Sequence, residues 1–220
     1  AFDYPASARG TVKLGKVLAA ADFDIRAPEG AAQVRVRVIG VIENQAPTRA
    51  IEADLAVENG LVAMDRAADV CQIALVERHR ATGEVVNGFV SGFGYRADCA
   101  LASTVAHDCH HMIVVGTSKD DMARAANRLG EVGGGVVFYA GGEEKALIEM
   151  PIAGLMSDRR AEVVAEQAER LVRAMQDAGC ALNNAFMQHS LLALVVIPEL
   201  RISDLGIIDV TKFEKVDLFL

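Results

Sequence analysis

The sequence lacks closely spaced cysteine pairs. Its four cysteines form no CxxC motif and are scattered at Cys71, Cys99, Cys109 and Cys180. This pattern argues against a zinc ribbon and against a small scaffold held together by disulfides. Unpaired cysteines fit a reducing compartment, so we expect a cytoplasmic protein.

Long apolar runs are also missing. The apolar run near the end, from Leu191 to Ile197, has seven residues and stops at Pro198. A membrane-spanning helix needs about 20 such residues. No basic stretch followed by an apolar segment opens the chain, so we predict no signal peptide. The chain begins at Ala1 without a methionine, and we expect it to be a fragment of a longer polypeptide or a processed product.

The chain has few basic residues relative to acidic ones, 22 Lys and Arg against 30 Asp and Glu, which gives a formal net charge of -8. This balance argues against a nucleic-acid backbone or an anionic membrane as the main partner. A neutral small molecule or another protein surface is easier to accommodate. The composition is 52% hydrophobic over 220 residues, which predicts a well-filled core and not a disordered chain.

Turn signals between strand-like runs predict three strand pairs. Asn59-Gly60 separates the first pair, and Asn-Gly supplies the positive φ angles that a two-residue turn requires. The three predicted pairs are 54–57 with 61–64, 69–77 with 84–92, and 136–139 with 145–149. Val34, Val36 and Val38 alternate with arginines, which predicts an earlier strand. Residues 11–14 are a weaker strand candidate, and residues 43–50 a loop.

Two helices are predicted between these strands. Ser118, with Asp121 three residues later, indicates the start of a helix that ends at glycines 133–135. A second helix is predicted for about residues 157–178, with Ser157 and Asp158 as caps, and the tail from residue 191 combines a short helix with an extended segment. Strand pairs joined by tight turns, with at least two packed helices, predict an α+β fold with a mostly antiparallel sheet.

Three of the five histidines lie within five positions, at His107, His110 and His111, beside Asp108 and Cys109. Their side chains carry protons and bind metals near neutral pH, and grouping them in an apolar chain costs desolvation. His107 and Asp108 are therefore candidates for supporting roles in catalysis. The three histidines are also candidates for metal ligands, although no further ligand is close enough in sequence to complete a site. The alternative is a structural or solvated turn.

Other residues are candidates for lining a substrate pocket, and these are Arg78, Phe93, Gly94, His110 and Ser157. A guanidinium can clamp a ligand with its planar fork, although a surface salt bridge explains Arg78 as well. The Gly-Phe-Gly segment permits close approach of a ligand to the backbone. Ser157 stands at a predicted helix start, where free N–H groups occur, but capping explains it equally. His189 lies in an apolar stretch and is interpreted as a satisfied core histidine.

Several blocks of the sequence resemble the C-terminal domain of adenine deaminases. From about residue 34 to the end, the agreeing segments are 76–79, 92–94, 102–108, 113–117, 120–122, 133–135, 151–158 and 196–200. Because several long blocks agree in sequence order, the resemblance is highly specific.

The resemblance implies what the full-length protein does. Such enzymes hydrolyse adenine to hypoxanthine and ammonia, as expected for purine salvage by a cytoplasmic homo-oligomer. It also implies a preceding barrel of the amidohydrolase superfamily, in which a divalent metal, manganese or iron, activates water. Residues 1–50 would be a β segment of a small sandwich-like domain that flanks this barrel. Residues 51–220 would be the C-terminal α+β domain, which lines the mouth of the active site or forms a subunit interface.

The chain itself has no recognisable hydrolytic centre. It lacks the His-x-His pair of an amidohydrolase barrel, the HxE and PCxxC motifs of zinc-dependent nucleobase deaminases, and the GxSxG motif. It also departs from the family pattern, because the usual His-Asp-Ser-His-Asn reads His-Asp-Cys-His-His at 107–111, and one extra residue falls between Tyr95 and Ala100. Two alternatives follow: a non-catalytic structural or oligomerisation domain, and a deaminase of a related aminated purine.

Overall fold

A nine-stranded sheet forms the centre of the computed structural model, which describes residues 2–220. In chain order its strands are β1 (Gln33–Val41), β2 (Thr48–Glu58), β3 (Leu61–Val62), β4 (Val70–Val76), β5 (Val85–Ser91), β6 (Cys99–Ser103), β7 (Met112–Gly116), β8 (Gly135–Ala140) and β9 (Glu143–Glu149). They lie in the order β3-β2-β1-β5-β4-β7-β6-β8-β9. β1 pairs with β5 in parallel, and the other neighbours pair antiparallel. The predicted α+β fold with a mostly antiparallel sheet is confirmed.

Helices cover both faces of this sheet. They are α1 (Lys119–Val132), α2 (Ala161–Asp177) and α3 (Ala185–Leu191). Alternate residues of β6 face opposite sides, so Ala100 and Ala102 pack with α1, whereas Leu101 packs in the core that contains residues of α2 and α3. Coverage on both faces explains why every residue of β4, β6 and β7 is buried.

The three predicted strand pairs are confirmed as β2–β3, β4–β5 and β8–β9. The turn of the first pair has positive φ angles at Asn59 and Gly60, as its sequence indicated. The strand predicted around Val36 is β1, in which Val34, Val36 and Val38 are buried as their alternation indicated, and burial becomes continuous from Val38 to Gly40. α1 also begins as predicted, because the Ser118 hydroxyl accepts a hydrogen bond from the Asp121 N–H, and Gly133 ends it in the left-handed conformation.

The start of α2 was predicted too early. The helix begins at Ala161, and Arg160 occupies its N-cap position without a side-chain hydrogen bond. Ser157 and Asp158 therefore do not cap it. Their partners explain the difference: the Asp158 carboxylate pairs with Arg9 at 2.8 Å, and the Ser157 hydroxyl accepts a bond from the Arg159 N–H.

Two terminal segments also differ from prediction. The short helix α3 ends at Leu191, where the tail helix was predicted to begin. The tail forms a second, antiparallel sheet of β10 (Leu200–Ser203), β11 (Gly206–Asp209) and β12 (Glu214–Val216). Residues 11–14 form no strand. They belong to an irregular N-terminal segment, residues 8–18, here called the strap, in which the Lys13 N–H donates to the Arg78 carbonyl. The strand prediction for residues 11–14 is wrong because the strap makes isolated hydrogen bonds to other segments and no strand ladder.

The proposed division at residue 50 falls inside β2. β1 and β2 hydrogen-bond within the same sheet as the later strands. The division into a flanking β segment and a C-terminal domain stays a prediction. None of the helices in residues 2–220 is long and apolar enough to cross a membrane.

Candidate functional site

The candidate site is the turn between β6 and β7, here called the histidine turn (residues 106–111). The His110 N–H donates to the Ala106 carbonyl at 2.7 Å, and His110 takes a positive φ of 48°. The His107 N–H donates to the Ser190 carbonyl of α3 at 2.9 Å. The turn is therefore fixed by its own backbone bonds and by the neighbouring helix.

The outer part of the turn faces solvent. The Asp108 side chain is 82% exposed and that of His107 is 35% exposed, with 4.0 Å between their nearest nitrogen and oxygen atoms. The rings of His107 and His110 meet edge to face, with centroids 5.4 Å apart. Burial, and then the proximity of His107 and Arg78, lower the pKa of His110 below its ordinary value. The His107 imidazole and the Asp108 carboxylate are thus exposed for contact with a partner surface.

On the inner side of the turn, His111 packs against His79, which lies outside the turn. The His111 ring is buried and lies 4.7 Å from the ring of His79, between centroids. His79 Nε2 is 2.9 Å from the Cys109 carbonyl, and His111 Nε2 is 3.9 Å from the Asp204 carboxylate. Burial, followed by the neighbouring His79, lowers the pKa of His111. This ring is therefore held largely neutral at physiological pH.

The three candidate metal ligands fall into two separate ring contacts. His107 packs against His110, whereas His111 packs against His79. Among residues 2–220, no group of three or more His, Cys, Asp or Glu side chains is placed to hold a metal ion. The residues described thus do not fit a metal centre, and we assign no chemical step to a metal ion within them.

Arg78 lies beneath the turn and is 2% exposed. Its Nε donates to the His110 carbonyl at 2.5 Å, and both terminal nitrogens lie 3.3 Å from the Ala153 carbonyl. The alternative of a surface salt bridge for Arg78 is wrong, because the guanidinium is buried against backbone carbonyls. Ser157, another candidate for the pocket, follows the same 151–156 turn that supplies Ala153.

The two remaining candidates lie apart from the histidine turn. Phe93 is fully buried, stacks on Tyr95 with centroids 5.5 Å apart, and meets His189 of α3 edge to face, with centroids 6.4 Å apart. Gly94 donates its N–H to Asp69 at 2.8 Å and lies near the Gly179 backbone at the end of α2. The structure brings Arg78, His107, Asp108 and His110 together and leaves Phe93 and Gly94 outside that group.

His189 is a core histidine, as interpreted from sequence, but it is not satisfied by the protein. It is fully buried, and neither ring nitrogen has a hydrogen-bond partner among the described residues. Burial lowers the pKa of His189 to about 3, so its ring is neutral at physiological pH.

Two contacts of the site escaped sequence reasoning. Asp204 approaches His111 from the turn between β10 and β11, and Ala153 approaches Arg78 from the 151–156 turn. Both are distant in sequence from their partners, so no local spacing could indicate them.

Comparison with known proteins places this chain in a family. The family described as the adenine deaminase C-terminal domain matches residues 45–214, which is more than half of the chain. The chain belongs to this family. The resemblance inferred from the sequence blocks is confirmed.

Individual members of the family are also similar to the chain. An adenine deaminase of Mesorhizobium japonicum is 74% identical over 219 residues, which cover 100% of this chain and 36% of the relative. Adenine deaminase 3 of Rhizobium meliloti is 72% identical, covering 99% of the chain and 36% of the relative. A more distant adenine deaminase, from Rubrobacter xylanophilus, is 47% identical over 95% of the chain and 34% of the relative. The chain thus spans about a third of the length of these relatives.

Proposed function

We propose that this chain is the C-terminal part of an adenine deaminase and that its histidine turn forms a wall at the mouth of the active site. The observation that carries the proposal is the 74% identity to an adenine deaminase over 100% of the chain. The full-length enzyme would hydrolyse adenine to hypoxanthine and ammonia. The histidine turn supports the proposal because its exposed polar groups are available to a neighbouring domain.

The hydrolytic centre is proposed to lie in a preceding barrel domain of the same protein. A divalent metal there, manganese or iron, would lower the pKa of a bound water towards neutrality. We further propose a cytoplasmic homo-oligomer that serves purine salvage. These points depend on the family relationship and not on geometry within residues 2–220.

His107 and Asp108 have the chemistry for a supporting role at such a mouth. The His107 imidazole can hydrogen-bond a purine nitrogen, and imidazole is a side chain that commonly transfers protons in catalysis. Asp108 lies beyond hydrogen-bond distance, with 4.0 Å between the nearest atoms. Rotation of the exposed Asp108 side chain would bring its carboxylate to the His107 ring and orient the imidazole.

Substitution in the full-length enzyme tests this role. We expect His107→Ala or Asp108→Ala to lower kcat for adenine at least about tenfold, because a positioned acid–base group contributes at least this much. Asp177→Ala, which removes an exposed carboxylate at the end of α2, is the matched control and should keep wild-type kcat. Wild-type turnover in folded His107→Ala and Asp108→Ala enzymes would refute the role. Assaying other aminated purines in parallel tests the alternative substrate.

A second candidate function is a structural or oligomerisation surface. Large apolar side chains stand exposed on segments that adjoin the histidine turn: Met156 is 52%, Met187 42% and Leu205 68% exposed. Such residues near one turn are typical of a protein contact surface. If this candidate holds, the same two substitutions should dissociate or destabilise the assembly, which size-exclusion chromatography and melting curves would detect.

A further inference from the structure

Arg78 joins three segments that are far apart in sequence. Its backbone carbonyl accepts the Lys13 N–H of the N-terminal strap at 2.9 Å. Its guanidinium holds the His110 carbonyl of the histidine turn and the Ala153 carbonyl of the 151–156 turn. The Ala153 N–H in turn donates to the Ala8 carbonyl of the strap at 2.6 Å. One side chain therefore connects both turns, and the strap binds on either side of it.

Gly154 confines this guanidinium from one side. A Cβ atom at Gly154 would lie 2.8 Å from Nη1 of Arg78, so no larger residue fits without displacing it. The Gly154 carbonyl accepts the buried Thr104 hydroxyl at 2.6 Å, and Thr104 is bonded to the Gly135 backbone at the start of β8. The 151–156 turn is thus fixed to the sheet through Thr104. Because Arg78 binds both turns, it holds the histidine turn against this fixed segment.

A guanidinium in this place is poorly suited to clamp a substrate. It is 2% exposed, and its Nε and both terminal nitrogens already donate to backbone carbonyls. A planar fork with several fixed donors can bridge two carbonyls at once, which a lysine ammonium cannot do in the same geometry.

We propose that Arg78 is a positioning residue that fixes the histidine turn against the 151–156 turn, so that His107 and Asp108 are presented in one arrangement. The part of this inference that concerns catalysis rests on the proposed function. The part that concerns the order of the turn does not.

The test compares four variants of the full-length protein by hydrogen exchange and by kinetics. Arg78→Met removes the fork, Arg78→Lys keeps the charge, and Gly154→Ala crowds the fork without altering it. Gly141→Ala is the matched control, because Gly141 also has a positive φ, of 61°, yet has nothing within 4 Å of the added carbon. Mass spectrometry follows amide exchange in the peptide that spans residues 106–111.

We expect amide exchange in this peptide to rise about tenfold or more in Arg78→Met and Gly154→Ala, and to stay unchanged in Gly141→Ala. Arg78→Lys should lie between wild type and Arg78→Met. In Arg78→Met and Gly154→Ala, kcat for adenine should fall about tenfold while KM changes less than about threefold. The reason is that the histidine turn is displaced but the substrate-binding surface remains. If Arg78→Met fails to fold, Gly154→Ala and Arg78→Lys still decide the question.

The outcomes separate the two claims. Faster exchange with unchanged kcat would support positioning by Arg78 and contradict the catalytic role of the turn. Unchanged exchange in both Arg78→Lys and Gly154→Ala would overturn the positioning role, whatever the kinetics show. Unchanged exchange combined with a raised KM and a preserved kcat would instead indicate that Arg78 contacts the substrate directly.

Discussion

Glu77 orders the loop between β4 and β5 with a single carboxylate. The backbone N–H groups of His79, Arg80 and Thr82 donate to it at distances of 2.5, 2.8 and 3.0 Å. Burial alone raises the pKa of Glu77, but these hydrogen bonds together outweigh it and lower the pKa from 4.5 to about 2. The ionised form is therefore stabilised in the folded protein, directly beside Arg78 and His79.

This carboxylate makes the stability of the chain depend on pH. Because the folded pKa lies below the unfolded one, the contribution is complete above pH 4.5 and is lost as the pH falls towards about 2. We expect Glu77→Gln to lower the free energy of unfolding at pH 7 by about 2 kcal/mol, since charged hydrogen bonds are lost. Urea denaturation of the purified chain measures this. The exposed Glu29→Gln is the control, and a difference between wild type and Glu77→Gln that does not shrink below pH 4 would contradict the account.

Residue types indicated part of the site but not its arrangement. The group at 107–111 was identified because imidazole, carboxylate and thiol rarely crowd together without a reason. The burial of Arg78 and the approach of Asp204 could not be predicted, because both arise where separate loops meet. Local sequence therefore identifies the chemically active side chains of the site, but it does not identify their neighbours from distant segments.

Among the elements, those with clear local sequence signals were predicted more accurately than those without. α1 was predicted closely because Ser118 and Gly133 mark its ends and an apolar stripe lies between them. α2 carries two buried residues, Leu171 and Met175, and no side chain caps its start, so its first turn has no reliable signal. β6 (Cys99–Ser103) was missed because its small residues lack the β-branched pattern typical of a strand.

The caps can be compared directly by substitution. We expect Ser118→Ala to lower the free energy of unfolding by about 1 kcal/mol, because the Asp121 N–H loses its acceptor at the start of α1. Ser157→Ala should cost less than about 0.5 kcal/mol, since its hydroxyl accepts a bond in an exposed turn and caps no helix. Chemical denaturation of both variants measures the difference. Equal costs would contradict the assignment of the caps.

For the whole molecule, the turn residues predicted the strand pairs better than the strand propensities did. The glycine-containing turns predicted three strand pairs, which together supply six of the nine strands of the sheet. The order of the strands was not predictable, because the pairing of β1 with β5 and of β6 with β8 joins segments far apart in sequence. The buried site contacts depend on that order, which explains why the site was predicted only in part.

The central claim is that this chain braces a hydrolytic centre held by another part of the molecule. The most direct measurement compares hypoxanthine formation from adenine by the full-length protein and by the purified 220-residue chain, followed by ultraviolet absorbance. The account predicts turnover by the full-length protein and none above the uncatalysed rate by the chain alone. Hypoxanthine formation by the isolated chain would contradict it.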